Sequence, residues 1–305
     1  MQRYLIKRLF HSIITLFFVS ILVFVLVRLS GDPTYILLSQ DAPPEAREAF
    51  RRDWGLDKPI LYQYGIWLIK GVQGDFGESI LRKKPALALV MNHLWNTLQL
   101  VLVAVTFAVV LGVVVGVTSA VNPGGPVDWI GRYFSLLGQS APTFWVGIML
   151  MLLLAANWNL LPTSGKGGFE TFLMPAFTLG WFSAAAVLRI SKSSMLDVMG
   201  SEYIKTVRAM GLPKSLVVLK YALKNAAIPV VTMISLQFIA LLGSSVIVET
   251  VFAWPGIGRL AVEAIFARDF PLIQTLTLVF ATVFIIINLM VDILYGYIDP
   301  RIRYS

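Results

Sequence analysis

The sequence predicts an all-α polytopic membrane protein with six transmembrane helices, and three observations carry that reading. Hydrophobic residues make up 57% of the 305 residues and charged residues only 14%, against roughly 45–50% and about 25% in soluble domains. Mean hydropathy is +0.76. The apolar residues also gather into runs that suit a bilayer, where a helix needs roughly 20 of them to cross ~30 Å of hydrocarbon.

In chain order the apolar cores are 9–27, 98–120, 144–156, 172–188, 228–247 and 272–294. The third and fourth are short and are expected to extend through neighbouring small and weakly polar residues, such as 136–142 and Thr171. The first opens on Arg3, Lys7 and Arg8, but its apolar run of 19 residues exceeds an ordinary signal-peptide core and no A-x-A site follows. A retained helix is expected. This divides the chain into an N-terminal transmembrane helix (1–30), an external helical region (31–97) and a five-helix core (98–305) that contains an internal loop, 189–227.

Orientation follows from where Lys and Arg fall. With the N-terminus inside, the segments 1–8, 121–133, 189–227 and 295–305 hold 13 Lys and Arg, and the short outer loops 157–171 and 248–271 hold 3. Both termini are therefore expected on the cytoplasmic side of a multi-pass membrane protein. The same excess explains the net charge of +8 without nucleic acid, since no basic stretch is interleaved with stacking aromatics.

Within 31–97, Asp41-Ala42-Pro43-Pro44-Glu45 reads as a helix start, with prolines in the first turn and acids at the positive end of the dipole. That helix is expected to run to Trp54 and stop at Gly55. A second, 59–70, places Ile60, Tyr64, Trp67 and Leu68 on one face, as a helix lying on the outer membrane surface would.

Polar residues inside the spans are few. Asp292 near the end of the sixth is either a pathway charge or an interfacial acid paired with Arg301 or a loop lysine. In the fifth span Gln237, Ser244 and Ser245 share one side, and Gln139-Ser140-Ala141-Pro142-Thr143 opens the third. Such groups line a wet path or serve close helix packing, and periodicity leaves both open. Metal binding is not expected: there are no cysteines, and His11 and His93 stand far apart.

The internal loop is the most legible part. After Ser201-Glu202, the residues Tyr203, Val207 and Met210 recur at i, i+4, i+7 while Lys205 and Arg208 fall on the other side. Gly211-Leu212-Pro213 then stops one helix and starts the next, which is expected over 216–227. The pattern is a helix–turn–helix beneath the membrane. It is an interfacial helix pair or a knob gripped by another protein.

The string Glu202-Tyr203-Ile204-Lys205-Thr206-Val207-Arg208-Ala209-Met210-Gly211 resembles the coupling-helix motif of permeases of ATP-binding-cassette importers, in the peptide/nickel branch. Gly31-Asp32-Pro33, Gly55-Leu56-Asp57-Lys58-Pro59, Gly74-Asp75-Phe76-Gly77-Glu78-Ser79, Val251-Phe252-Ala253-Trp254-Pro255-Gly256-Ile257-Gly258-Arg259-Leu260 and the C-terminal Asp299-Pro300-Arg301 are similar to further branch motifs, in order along the whole chain. Two departures stand out: Lys205-Thr206-Val207 occupies the place of the general family's Glu-Ala-Ala, and Tyr221-Ala222-Leu223-Lys224 that of its I-x-L-P.

The resemblance implies a type I importer permease fold in a bacterial inner membrane. It also implies three kinds of partner: a second homologous permease, two ATP-binding-cassette ATPases and an external solute-binding protein. ATP and magnesium would bind the ATPases, because this chain has no G-x-x-x-x-G-K-[ST] phosphate cradle and no catalytic site of its own is expected. Residues Ser201, Glu202, Tyr203, Lys205, Thr206, Val207, Arg208, Met210, Gly211 and Leu212 would couple to an ATPase. Gln139, Ser140, Thr143, Gln237, Ser244 and Ser245 would line the pathway, and Trp254, Pro255, Gly256, Gly258 and Arg259 would dock the binding protein or gate the outer mouth. Alternating access is the implied mechanism, and di- or oligopeptides the favoured cargo, with glutathione or nickel chelates as alternatives. An ion-coupled secondary transporter would instead show inverted repeats and central charges, and a membrane enzyme a motif such as H-E-x-x-H. Neither pattern is present.

Overall fold

The computed structural model describes residues 2–29, 34, 43–53 and 57–298. Gly31-Asp32-Pro33, Asp41-Ala42, Trp54-Gly55 and Asp299-Pro300-Arg301 lie outside the described residues. In chain order the helices are α1 (Gln2–Leu29), α2 (Pro44–Asp53), α3 (Ile60–Val72), α4 (Ala86–Val121), α5 (Pro126–Ser140), α6 (Thr143–Asn157), α7 (Glu170–Met199), α8 (Glu202–Ala209), α9 (Lys214–Val251), α10 (Ile257–Phe266) and α11 (Phe270–Ile298). Five of these are long and apolar enough to cross a membrane, and a sixth span arises if the bent pair α5–α6 is counted as one.

The contacts divide the chain into two compact units. The first holds Met1–Trp95 and Leu260–Met290. Here α3 packs on α1: the Tyr64 hydroxyl meets Ser20 Oγ at 2.7 Å, and the Phe24 ring lies 5.4 Å from Tyr64 and 5.5 Å from Trp67. Ile60, expected on the same face, is half exposed. The 77–86 segment is fastened to the start of α11 and to α10, because Ser79 Oγ donates to the buried Asp269 carboxylate and Arg82 pairs with Glu263 at 2.6 Å.

The second unit holds Asn96–Arg259 and Val291–Ser305. Its centre is α7, which packs most extensively on α9 and then on α5. Small residues allow the close approach that membrane helices rely on: a Cβ on Gly180 of α7 would fall 2.6 Å from the Ala104 carbonyl oxygen of α4.

Three expectations about the spans are corrected. The third does not continue straight back through 136–142, since α5 and α6 meet at 112°. Pro142 causes the break. It has no N–H for the preceding turn and pushes the residue before it into extended backbone, and Ala141 has φ −84 and ψ 128. The fourth runs on past 188 to Met199, taking the first eleven residues of the expected loop into α7. Nor does a separate helix over 216–227 precede the fifth: α9 is continuous from Lys214 to Val251, widened into π turns over Val217–Ala222.

Candidate functional site

The loop between α7 and α9 is a short capped helix held on a hydrophobic base. Ser201 is the N-cap of α8, with extended backbone and a hydroxyl that accepts from the Ile204 N–H at 3.4 Å while donating to the Val198 carbonyl at 2.6 Å. Such a cap satisfies one of the free N–H groups of the first turn. Glu202 stands at the dipole's positive end and meets Lys205 at 2.6 Å, and the Thr206 hydroxyl donates to the Glu202 carbonyl. Gly211 ends the helix at φ +76, a conformation that glycine adopts without strain.

The buried face of α8 differs from the expected stripe. Ile204 (0% exposed) and Val207 (4%) point inward and join Val117, Met195, Val217, Val218, Ala222 and Ala226, with Leu212 packed alongside. Tyr203 (49%) and Met210 (72%) face out. Both aliphatic branched side chains go to the core, and the two long adaptable ones remain on the surface beside Lys205 and Arg208, whose guanidinium reaches Met199 Sδ at 3.7 Å. An exposed aromatic, a thioether and two cations thus share the outward surface of α8 and its C-terminal turn.

The expected polar stripe on α9 is not one surface. Ser244 is exposed and bonds the Leu241 carbonyl, whereas Ser245 is fully buried and bonds the Leu242 carbonyl. One residue of helix is a rotation of 100°, which separates them. Gln237 is half-buried and accepts weakly from Ser183 of α7 at 3.4 Å. On α5, Gln139 is exposed and accepts from Arg189 of α7 at 2.6 Å, while Ser140 is exposed and bonds the Leu136 carbonyl. Thr143 is half-buried beyond the bend. Gln139 and Arg189 are thus brought together, and Ser245 is set apart from the rest. Asp292 is half-buried in α11, and Arg301, its expected partner, lies outside the described residues.

The 254–259 segment is also corrected in part. Trp254 is 0% exposed, so its side chain is no contact surface for an external protein in this conformation. Its indole N–H donates to the Asn96 carbonyl at 3.0 Å, and its ring meets Phe172 edge-on at 4.6 Å. The Pro255 carbonyl accepts from the Asn96 amide at 2.8 Å. The segment wraps the carboxylate of Glu249, itself 0% exposed at the end of α9. Thr97 donates to one oxygen at 2.6 Å and the Arg259 N–H to the other at 3.0 Å. A Cβ on Gly256 would lie 2.4 Å from that carboxylate, and one on Gly258 would lie 2.6 Å from the Val246 Cα. The Arg259 guanidinium turns back to the Ala253 carbonyl at 2.6 Å. These residues build the loop, and Lys166 lies on its outside, holding Asn96 Oδ1 and Gln99 Oε1 at 2.6 Å each.

Two features escaped the sequence reading. Glu249 lies just past the fifth apolar core, 228–247, and nothing in the spacing of Thr97, Glu249 and Gly256 announces contact. Asp128, 1% exposed, binds Arg132 at 2.7 Å, the Gly124 N–H at 3.0 Å and Lys192 of α7. The i, i+4 spacing of Asp128 and Arg132 was a usable signal, and Lys192 had none.

Comparison with known proteins accords with this geometry. The family model for the binding-protein-dependent transport system inner membrane component matches residues 108–304, and that for its N-terminal part matches 1–104. The chain is 42% identical to the glutathione transport system permease protein GsiC of Pectobacterium atrosepticum and 40% identical to that of Escherichia coli strain K12, in each case over the whole of both chains. Its fold resembles the inward-facing MetNI methionine ABC transporter (TM-score 0.57, 21% identity, covering 69% of this chain and 96% of that one). An amino acid ABC transporter gives a TM-score of 0.52 at 16% identity, covering 70% and 94%.

Proposed function

This chain belongs to the binding-protein-dependent transport system inner membrane components, the permeases of ATP-binding-cassette importers, and on that premise we propose that its cargo is glutathione or a closely similar short anionic peptide. The observation that carries this reading is the full-length likeness to glutathione permeases. The sequence alone favoured ordinary di- and oligopeptides. Glutathione is a tripeptide of the same size class, with two carboxylates and one ammonium.

In this reading the chain is one half of a path, completed by a second permease. Two ATPases bind ATP and magnesium on the side of α8, which is cytoplasmic together with both termini. An external binding protein delivers cargo to the opposite side. One ATPase grips the exposed knob of Tyr203, Lys205, Arg208 and Met210, and its closure moves α8 with α9. The buried base formed by Ile204 and Val207 makes that coupling stiff, because a packed interior resists deformation. Trp254, Pro255, Gly256, Gly258 and Arg259 serve as the frame of the outer mouth.

The test is uptake of labelled glutathione into proteoliposomes that contain the complete complex and its binding protein. ATP-dependent accumulation is expected, with none from the permease chain alone. Accumulation of dialanine but not of glutathione would sink the cargo assignment.

A further inference from the structure

Between α5 and α7 lies a cleft of about 440 Å³, within the usual size range of small-molecule sites. Its charged walls are Arg132, Arg189 and Lys192, against the single acid Asp128. That acid is already occupied: it is 1% exposed and holds Arg132, Lys192 and the Gly124 N–H. Arg189 is exposed and, among the described residues, bonds only the neutral amide oxygen of Gln139, at 2.6 Å. Among the described residues, the cleft therefore carries more positive charge than its one carboxylate balances.

A second observation points the same way. Ser135 lines the cleft at 6% exposure, and its hydroxyl has no hydrogen-bond partner among the described residues. A buried hydroxyl without a partner costs free energy that a bound acceptor would recover. Guanidinium and hydroxyl groups in one concave wall are a receptor for an oxyanion.

We propose that this cleft is a way station for a carboxylate of the cargo, with Arg189 as the principal donor and Ser135 and Lys192 in support. The inference rests on the anionic cargo proposed above and assigns it a contact within this chain. A phospholipid headgroup would present the same oxyanion chemistry to the cleft, and the experiment below separates the two sources. Gln139 acts as a placeholder, releasing the Arg189 guanidinium when a carboxylate arrives.

The experiment is equilibrium binding of labelled glutathione to the nucleotide-free permease–ATPase complex in nanodiscs of zwitterionic lipid, without the binding protein. Salt-sensitive binding is expected, weakened at least tenfold in Arg189→Gln and partly restored in Arg189→Lys. Ser135→Ala should weaken it severalfold. Equal affinity in wild type and Arg189→Gln would overturn the proposal. So would a cleft that takes phosphatidylglycerol in an Arg189-dependent manner while glutathione does not bind. Wild-type glutathione uptake, measured in parallel, separates the two readings: normal uptake with unaltered Arg189→Gln binding removes the way station alone, and absent uptake removes the cargo assignment.

Discussion

Glu249 and Thr97 stand 152 residues apart in sequence and are joined by a 2.6 Å hydrogen bond with neither side chain open to solvent. The bond ties the end of α9 to α4, and the 254–259 segment closes over it. This makes the 254–259 segment dependent on one carboxylate.

Glu249→Ala is expected to strand the Thr97 hydroxyl and the Arg259 N–H, at about 1–3 kcal/mol for each buried donor. Gly256→Ala should act similarly, because its Cβ would fall 2.4 Å from the carboxylate. Both variants should unfold at lower temperature in detergent and lose uptake. An unchanged melting temperature in Gly256→Ala would mean that the loop yields easily.

Gly211 has φ +76, and no heavy atom lies within 4 Å of where a Cβ would stand. Alanine there meets no clash and only backbone strain of about 1–2 kcal/mol. Proline demands φ near −65° and must rebuild the turn. Gly211→Pro is therefore expected to insert in the membrane yet uncouple ATP hydrolysis from uptake, with Gly211→Ala close to wild type. Wild-type uptake by the proline variant would remove the turn from the coupling path.

The two faces of α8 predict opposite phenotypes. Tyr203→Asp with Met210→Asp changes only exposed side chains, so thermal stability should hold while co-purification of the ATPase falls at least tenfold. Ile204→Ala empties a fully buried site and should cost about 2–5 kcal/mol, lowering the melting temperature of the permease itself. The knob assignment is wrong if the double variant retains its ATPase.

Asp128→Asn leaves Lys192 and Arg132 without their carboxylate. Arg132 is 56% exposed and can turn to water, whereas Lys192 at 20% is more confined. A loss of about 1–3 kcal/mol is expected, read as a lower thermal midpoint, and Lys192→Met in the same chain should recover part of it. Equal losses in the single and double variants would argue that the two residues act independently.

Much of this fold was legible because a bilayer demands long apolar runs. The break at Pro142 was not read as a corner, since composition gives span length and a bend depends on what the freed backbone meets. The Ser201 cap and the Gly211 stop were visible because both are local chemistry. Which side of α8 would face inward was not: Tyr203, Val207 and Met210 satisfy the same periodicity as Ile204 and Val207, and only packing against Met195 and Ala222 decides between them. The enclosure of Glu249 and the Arg189–Gln139 contact join residues distant in sequence, and no spacing rule reaches them.

The 38 residues of α9 form one continuous helix from Lys214 to Val251, about 57 Å along its axis at 1.5 Å per residue. Its first turns adjoin the knob and its last bear Glu249. Apart from the π turns at Val217–Ala222 and Pro229, it has little compliance with which to absorb a push. One helix thus joins the region of α8 to the loop around Glu249, a direct covalent route between them. Because linkage between sites is reciprocal in binding free energy, a ligand favoured at one end of α9 is expected to change affinity at the other by the same factor.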